Sequence, residues 1–151
     1  MSHSLIAVGR LKPGPLADLF ADYAGRLRPR LAVVEVEEKR KLPAPALMEA
    51  EARLLLRAVP AGAARVVLDS RGRALSSEQL AVRLGAWRDE ARAVAFLIGG
   101  AEGLDASVRE GAALTLSLGP MTWPHLLVRA MLAEQLYRAQ SILAFHPYHR
   151  G

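Results

Sequence analysis

The chain predicts an α/β fold, a mainly parallel five-stranded sheet with helices on both faces. Three observations predict it. Five short apolar runs alternate with stretches whose apolar residues recur at three and four, and strands alternating with helices imply a parallel sheet covered on both sides. The 151 residues, 52% of them hydrophobic, suit one domain around one core. No internal repeat, low-complexity tract or linker divides the chain.

Residues 4–8 (SLIAV) read as the first strand, ended by Gly9. Pro13, Gly14 and Pro15 break the chain before Leu16, Leu19, Phe20, Tyr23 and Leu27, whose spacing lays an apolar stripe along a helix that Pro29 stops. Residues 31–36 (LAVVEV) are rich in β-branched side chains and form the second strand, followed by a highly charged loop over 37–42. Pro45 opens the next helix in its first turn, where a missing amide costs little. Leu47, Leu54, Leu55, Ala58 and Val59 supply that helix's buried side, and Pro60 with Gly62 ends it.

Residues 65–69 (RVVLD) form the third strand, and Ser70, Arg71, Gly72 and Arg73 a polar turn. Ser76 with Gln79 has the form of a capping box, which predicts a helix from about 77 to 90 burying Leu80, Leu84 and Trp87. Residues 94–98 are the fourth strand, 105–111 a short helix capped by Asp105, and 114–118 the fifth strand. Pro124 starts the last helix.

Composition excludes several classes. No segment reaches the ~18 uninterrupted apolar residues of a membrane span; the longest candidate, 126–143, contains Arg129, Glu134 and Arg138. Residues 4–8 are too short for the apolar core of a signal peptide, so a cytoplasmic protein without a membrane partner is expected. Zero cysteines exclude disulfides, thiolate nucleophiles and zinc ribbons. The formal charge of +5 lies wholly in residues 1–93, concentrated at Arg26, Arg28 and Arg30 and at Lys39, Arg40 and Lys41. Such a surplus suits either a polyanionic partner or a solvated arginine-rich surface.

The chemistry concentrates in residues 94–151. In open sheets of this kind ligands gather beyond the carboxyl ends of the strands, where Leu68, Gly99 and Gly119 fall. The loop 98–104 lacks the order of a dinucleotide fingerprint and the Lys-Ser/Thr pair of a P-loop, so alone it is as readily a plain turn as a ligand loop. Paired with the loop 119–124, it makes a pocket of backbone donors and acceptors with apolar walls, suited to an adenine ring.

The last helix is apolar nearly all round, through Leu126, Leu127, Val128, Met131, Leu132, Leu136, Tyr137, Ile142 and Leu143. It is either a homodimer interface or a helix crossing its own core. Glu134 and Arg138 stand four apart and either pair with each other or send the arginine across an interface. The tail His146-Pro147-Tyr148-His149-Arg150 is either a frayed end or a surface that stacks on an unpaired RNA base. Two histidines three apart with no cysteine or carboxylate partner predict no metal site. No Gly-x-Ser-x-Gly elbow supports a hydrolase.

The segments LIAVGRLK, VVLDSRG, FLIGGAEGL, LSLGPMTWPHLLVRAMLAEQLYRA and HPYHR together resemble the bacterial large-subunit ribosomal RNA pseudouridine N3-methyltransferases of the SPOUT superfamily. The charged loop 37–45 is shorter than that family's pattern. The resemblance implies one SPOUT domain over residues 1–151 and a C-terminal trefoil knot. It implies S-adenosylmethionine held by Leu68, Gly99, Gly100, Leu118, Gly119, Pro120, Met121, Thr122 and Trp123. It also implies a homodimer acting on 23S rRNA in the assembled ribosome, at N3 of a pseudouridine in helix 69. On that basis His149 or His125 is expected to handle the proton or contact the base, with Tyr148 positioning and Arg138 beside it. Arg129, His146 and Arg150 are expected on RNA. Two competing expectations are another SPOUT enzyme acting on transfer RNA or a different ribosomal site, and a non-catalytic ribosome-associated binding module.

Overall fold

The computed structural model describes residues 2–150. Its elements run β1 (His3–Val8), α1 (Pro15–Gly25), β2 (Leu31–Val36), α2 (Ala44–Ala58), β3 (Ala64–Ala74), α3 (Ser77–Asp89), β4 (Val94–Ile98), α4 (Ala106–Arg109), β5 (Leu114–Ser117) and α5 (His125–Leu143), then a 3-10 turn at Pro147–His149. The five strands form one sheet in the order β2-β1-β4-β3-β5, every pair parallel.

Alternation along the strands divides the core in two. Leu5, Ala7, Val66, Phe96 and Leu116 face the side covered by α1, α3 and α5, while Ile6, Val8, Val67 and Leu97 face α2 and α4. Strands buried on both faces read as continuous apolar runs, and β4 is buried at all five positions. β2 pairs only with β1, and its Val33 and Val34 are exposed. Its β-branched residues therefore serve an edge strand.

Local signals hold where a cap or a proline dictates geometry. Ser76 accepts from the Gln79 amide at 3.0 Å and the Gln79 side chain accepts from the Ser76 amide at 2.8 Å, a complete capping box at the start of α3. Asp105 likewise accepts from the Ser107 amide at 3.0 Å to start α4.

Two expectations are corrected. The first helix ends at Gly25, before Pro29, so Leu27 is buried in the following loop and is not part of the stripe. The polar stretch 70–73 is not a turn between strand and helix, since β3 runs on to Ala74. Leu68 and Arg73 both pair with Leu116, so the residues between them bulge out while the strand resumes. Gly72 lies against Thr115 so closely that any Cβ would overlap its carbonyl. Polar side chains suggested a turn because the edge pairing uses only backbone.

The long helix α5 packs on α1 and α3 and touches β4. Ala130, Leu132, Ala133, Leu136 and Ala139 are buried in its own chain, while Leu126, Leu127, Met131 and Ile142 are half-buried. One face thus crosses the core, as the second reading of the helix expected.

Candidate active site

Parallel strands put the carboxyl ends of β4, β3 and β5 side by side, and the loops leaving them enclose a cleft of about 560 Å³. Leu68, Gly99, Gly100, Leu118, Gly119, Met121, Thr122 and Trp123 line it, with His125 and Val128 from the start of α5. Pro120 belongs to the same loop but is not among the lining residues. Gly119 has φ +110, which only glycine adopts easily, and its amide donates to the Ser117 hydroxyl at 3.0 Å. Trp123 Nε1 donates to the Leu118 carbonyl at 3.3 Å, folding the indole back over the loop.

Asp69, Arg71 and Leu116 also line the cleft, and the sequence reading passed over them. The Asp69 carboxylate accepts from the Arg71 amide at 2.9 Å and from the guanidinium groups of Arg71 and Arg109 at 3.1 and 3.2 Å. Burial alone would push this carboxyl up; the hydrogen bonds from Arg71, with the charges of Arg71 and Arg109, hold it below the usual range. The available signal was an acid ending a strand beside two arginines, and it was spent on a turn assignment.

His125 sits at the first turn of α5. Burial, with the charge of Arg129 second, lowers its imidazole below the ordinary value, so it is neutral at pH 7. Arg129 itself is buried, 1% exposed, which the sequence did not foresee. Its fork bonds Glu35 of β2 and donates to the carbonyls of Val8 and Gly9 at 3.3 and 2.9 Å. This arginine ties α5 to the ends of β1 and β2, and an RNA phosphate would have to displace those bonds.

The tail folds back against the middle and second half of α5. Tyr148 donates to Glu134 Oε2 at 2.8 Å, stands 3.3 Å from the Tyr23 hydroxyl and packs edge-on against Tyr137 with centroids 4.7 Å apart. Burial, then the bonds to Tyr23 and Glu134, pushes its phenol well above the ordinary value. Arg138 pairs with the same Glu134 at 2.8 Å and lies over the Tyr148 ring. His146 accepts from the Tyr148 amide at 3.2 Å, and His149 and Arg150 complete the turn, with the His149 carbonyl 3.4 Å from Arg138.

The structure therefore gathers the loop residues and His125 at one place and Arg138, His146, Tyr148, His149 and Arg150 at another. Glu134 and Arg138 lie about 14 and 20 Å along α5 from His125. A second cleft of about 590 Å³, lined by Tyr23, Met131 and Glu134, separates the two groups and shares Leu116, Leu118 and Gly119 with the first. Among the described residues no cluster of three or more His, Asp or Glu side chains is placed to hold a metal ion. Among the same residues no helix is long and apolar enough to cross a membrane.

A parallel α/β sheet with a cleft of backbone loops beyond its carboxyl ends defines a class that solved structures share. The SpoU methyltransferase AviRb from Streptomyces viridochromogenes, in complex with AdoMet, superposes with a TM-score of 0.50 at 12% identity, over 91% of this chain and 57% of that one. The Legionella pneumophila protein Lpg2936, with bound SAM, gives 0.50 at 15% identity, over 92% and 66%. These likenesses show the fold.

Residues 1–149 match the family described as "Predicted SPOUT methyltransferase", and the chain belongs to that family. It is 58% identical over 148 residues to the Ribosomal RNA large subunit methyltransferase H of Rhodospirillum centenum, covering 97% of each chain. The proteins of the same name from Paracoccus denitrificans and Gluconacetobacter diazotrophicus are 56% and 55% identical, over 97% and 97% of this chain and 97% and 96% of theirs.

Proposed function

We propose that this chain, as a single SPOUT domain, transfers a methyl group from S-adenosylmethionine to N3 of a pseudouridine in helix 69 of 23S rRNA, in the assembled ribosome and hence in the cytoplasm. The observation that carries this reading is the joining of the family-matching loops, distant in sequence, around one cleft. Identity of 58% to a ribosomal RNA methyltransferase across nearly the whole chain supports the substrate class.

The cleft fits the cofactor. Its volume is in the range of ~300–1,000 Å³ that holds small ligands, its walls at Leu68, Leu116, Leu118 and Val128 are apolar, and its loops offer backbone groups for a purine and a ribose. Leu68, Gly99, Gly100 and residues 118–123 would hold it. When bound, it supplies a methyl group already activated on a sulfonium. The protein's share is then alignment, exclusion of water and reception of the N3 proton, and no metal is required. His125, neutral and at the cleft's edge, is one acceptor for that proton. His149, with Tyr148 and Arg138 to position the base, is the other.

The second set clusters on the middle and second half of α5, about 14 to 20 Å along the helix from His125 and outside the lining of its own cleft, which supports a homodimer in which each tail serves the partner's cofactor. Exposed Leu19, Met121 and Trp123 around the two clefts supply apolar surface for such a contact. His146 and Arg150 would then meet RNA beside the cleft, while the basic surface of residues 1–93 docks on the ribosome. The knot belongs to the same reading. Its support is that α5 follows edge strand β5 yet returns past β4 to bond Val8 and Gly9.

The test is methyl transfer to ribosomes lacking the modification, with and without prior pseudouridylation. Methylation that requires the pseudouridine is expected. Product mapped to transfer RNA or another ribosomal nucleotide, or cofactor binding without turnover, would overturn the assignment.

A further inference from the structure

The loop at Gly100 conceals a carboxyl group that nothing above uses. Glu51, on α2, is 9% exposed, and its Oε1 is buried without a hydrogen-bond partner. A Cβ placed on Gly100 would stand 3.2 and 3.4 Å from the two Glu51 carboxyl oxygens and 3.0 Å from Val8. Gly100 lines the cleft, so this carboxyl, though not itself a lining group, stands directly behind one of the cleft's loop residues.

An unpartnered buried acceptor is costly and rare. Among the described residues no cation bonds it. Glu102, from the cleft loop, is the charge that acts on it and has the same sign. Arg109 of α4 is engaged by Asp69 and the Leu104 carbonyl. Glu35 of β2 is bonded to Arg129, which projects from the helix layer on the opposite side of the sheet. Arg53 and Glu49, on α2 itself, are exposed. Of the β1 residues near the loop, Val8 is apolar, and His3 lies about 17 Å away along the strand.

The cation that completes this arrangement must come with the ligand. Resting on the reading that the cleft holds S-adenosylmethionine, we infer that Glu51 discriminates the sulfonium cofactor from its neutral demethylated product by charge. The two ligands differ at the sulfur by one methyl group and one positive charge. A buried carboxylate is screened less than one in water, and at moderate dielectric a unit charge within several Å of it would shift an equilibrium by about tenfold or more. In the free protein, burial and then the like charge of Glu102 push the Glu51 carboxyl up from its ordinary value, which favours its protonated form. Arrival of the sulfonium favours the carboxylate, and the proton passes to solvent. Loss of the methyl group removes the attraction and assists product release.

Calorimetric titration of the intact protein with S-adenosylmethionine and with S-adenosylhomocysteine tests this from pH 5 to 8. In the wild type, affinity for the sulfonium should rise with pH and its binding should release protons, while affinity for the thioether stays flat. That comparison needs no variant. Glu51→Gln should weaken the sulfonium about tenfold, leave the thioether within about twofold and abolish the pH slope. Equal weakening of both ligands, or of neither, would overturn the charge role while leaving the cleft assignment standing. Thr122→Trp, which fills the cleft from an exposed position, should abolish both affinities; if both survive it, the cleft reading falls and this inference falls with it.

Discussion

The first turn of α5 and the stretch from Glu134 to Arg138 are built on different principles. At the helix start the cleft combines glycine loops and apolar walls with one charged cluster, Asp69 held by Arg71 and Arg109. Further along, the tail seats Tyr148 among side chains of Tyr23, Glu134 and Arg138, whose polar atoms bond one another, and against the Tyr137 ring. A backbone site keeps its donors free for a ligand, whereas a saturated side-chain cluster is ordered before any ligand arrives. The second is a rigid presenting surface, and the first is a receptacle.

Breaking the strut that ties α5 to the ends of β1 and β2 should have the largest effect. Arg129→Met strands Glu35 and the Val8 and Gly9 carbonyls, and should cost about 3 kcal/mol, the low end for a buried pair because Glu35 is partly exposed. Urea unfolding measures it, and a loss below about 1 kcal/mol would make the arginine dispensable to the fold. Next comes the receptacle. Gly72→Ala forces β3 from β5 where no Cβ fits, with a loss of about 2 kcal/mol and weaker cofactor binding, since Leu68 and Leu116 beside it line the cleft.

The tail should respond differently. Tyr148→Phe removes a hydroxyl shared by Glu134 and Tyr23 and should cost about 1 kcal/mol without altering cofactor affinity. Equilibrium unfolding beside ligand titration separates the two effects, and reduced methylation of ribosomes by this variant at unchanged cofactor affinity would assign the tail to the nucleotide. Full activity of both Tyr148→Phe and His149→Ala would deny the tail a catalytic part.

The smallest effect is one of pH. Burial would raise the Glu35 carboxyl, but the Arg129 hydrogen bond, the Leu11 amide and the charges of Arg129 and Arg10 hold it below 4.5. A carboxyl depressed on folding stabilises above its unfolded value, and that contribution is lost as pH falls through the folded one. Stability should decline below about pH 4.5, and Glu35→Gln should flatten that part of the decline.

Much of this was legible in the chain. The capping box at Ser76 and Gln79, Pro45 in the first turn of α2 and the buried run 94–98 are local devices, and each formed where its residues stand. The cleft loops were legible too, because strand order and glycine position select the carboxyl edge of a parallel sheet. Arg129 was misread because nothing local distinguishes an arginine bound for solvent from one bound for a carboxylate 94 residues away. Asp69 and Glu51 were passed over for the same reason, since their partners or lack of partners arise only when α2, β3 and α4 meet.

The sequence by itself determined the elements, their alternation and hence a parallel sheet with loops poised at one edge, since periodicity, caps and turn residues act over a few residues. Only the tertiary structure decided that the tail folds back on Glu134, Tyr137 and Arg138 of α5, outside the cleft's lining, that Arg129 is a strut, and that a buried carboxyl stands behind Gly100. Those facts depend on distances between residues remote in sequence, and side-chain chemistry reads differently once burial sets which charges meet and which are left alone.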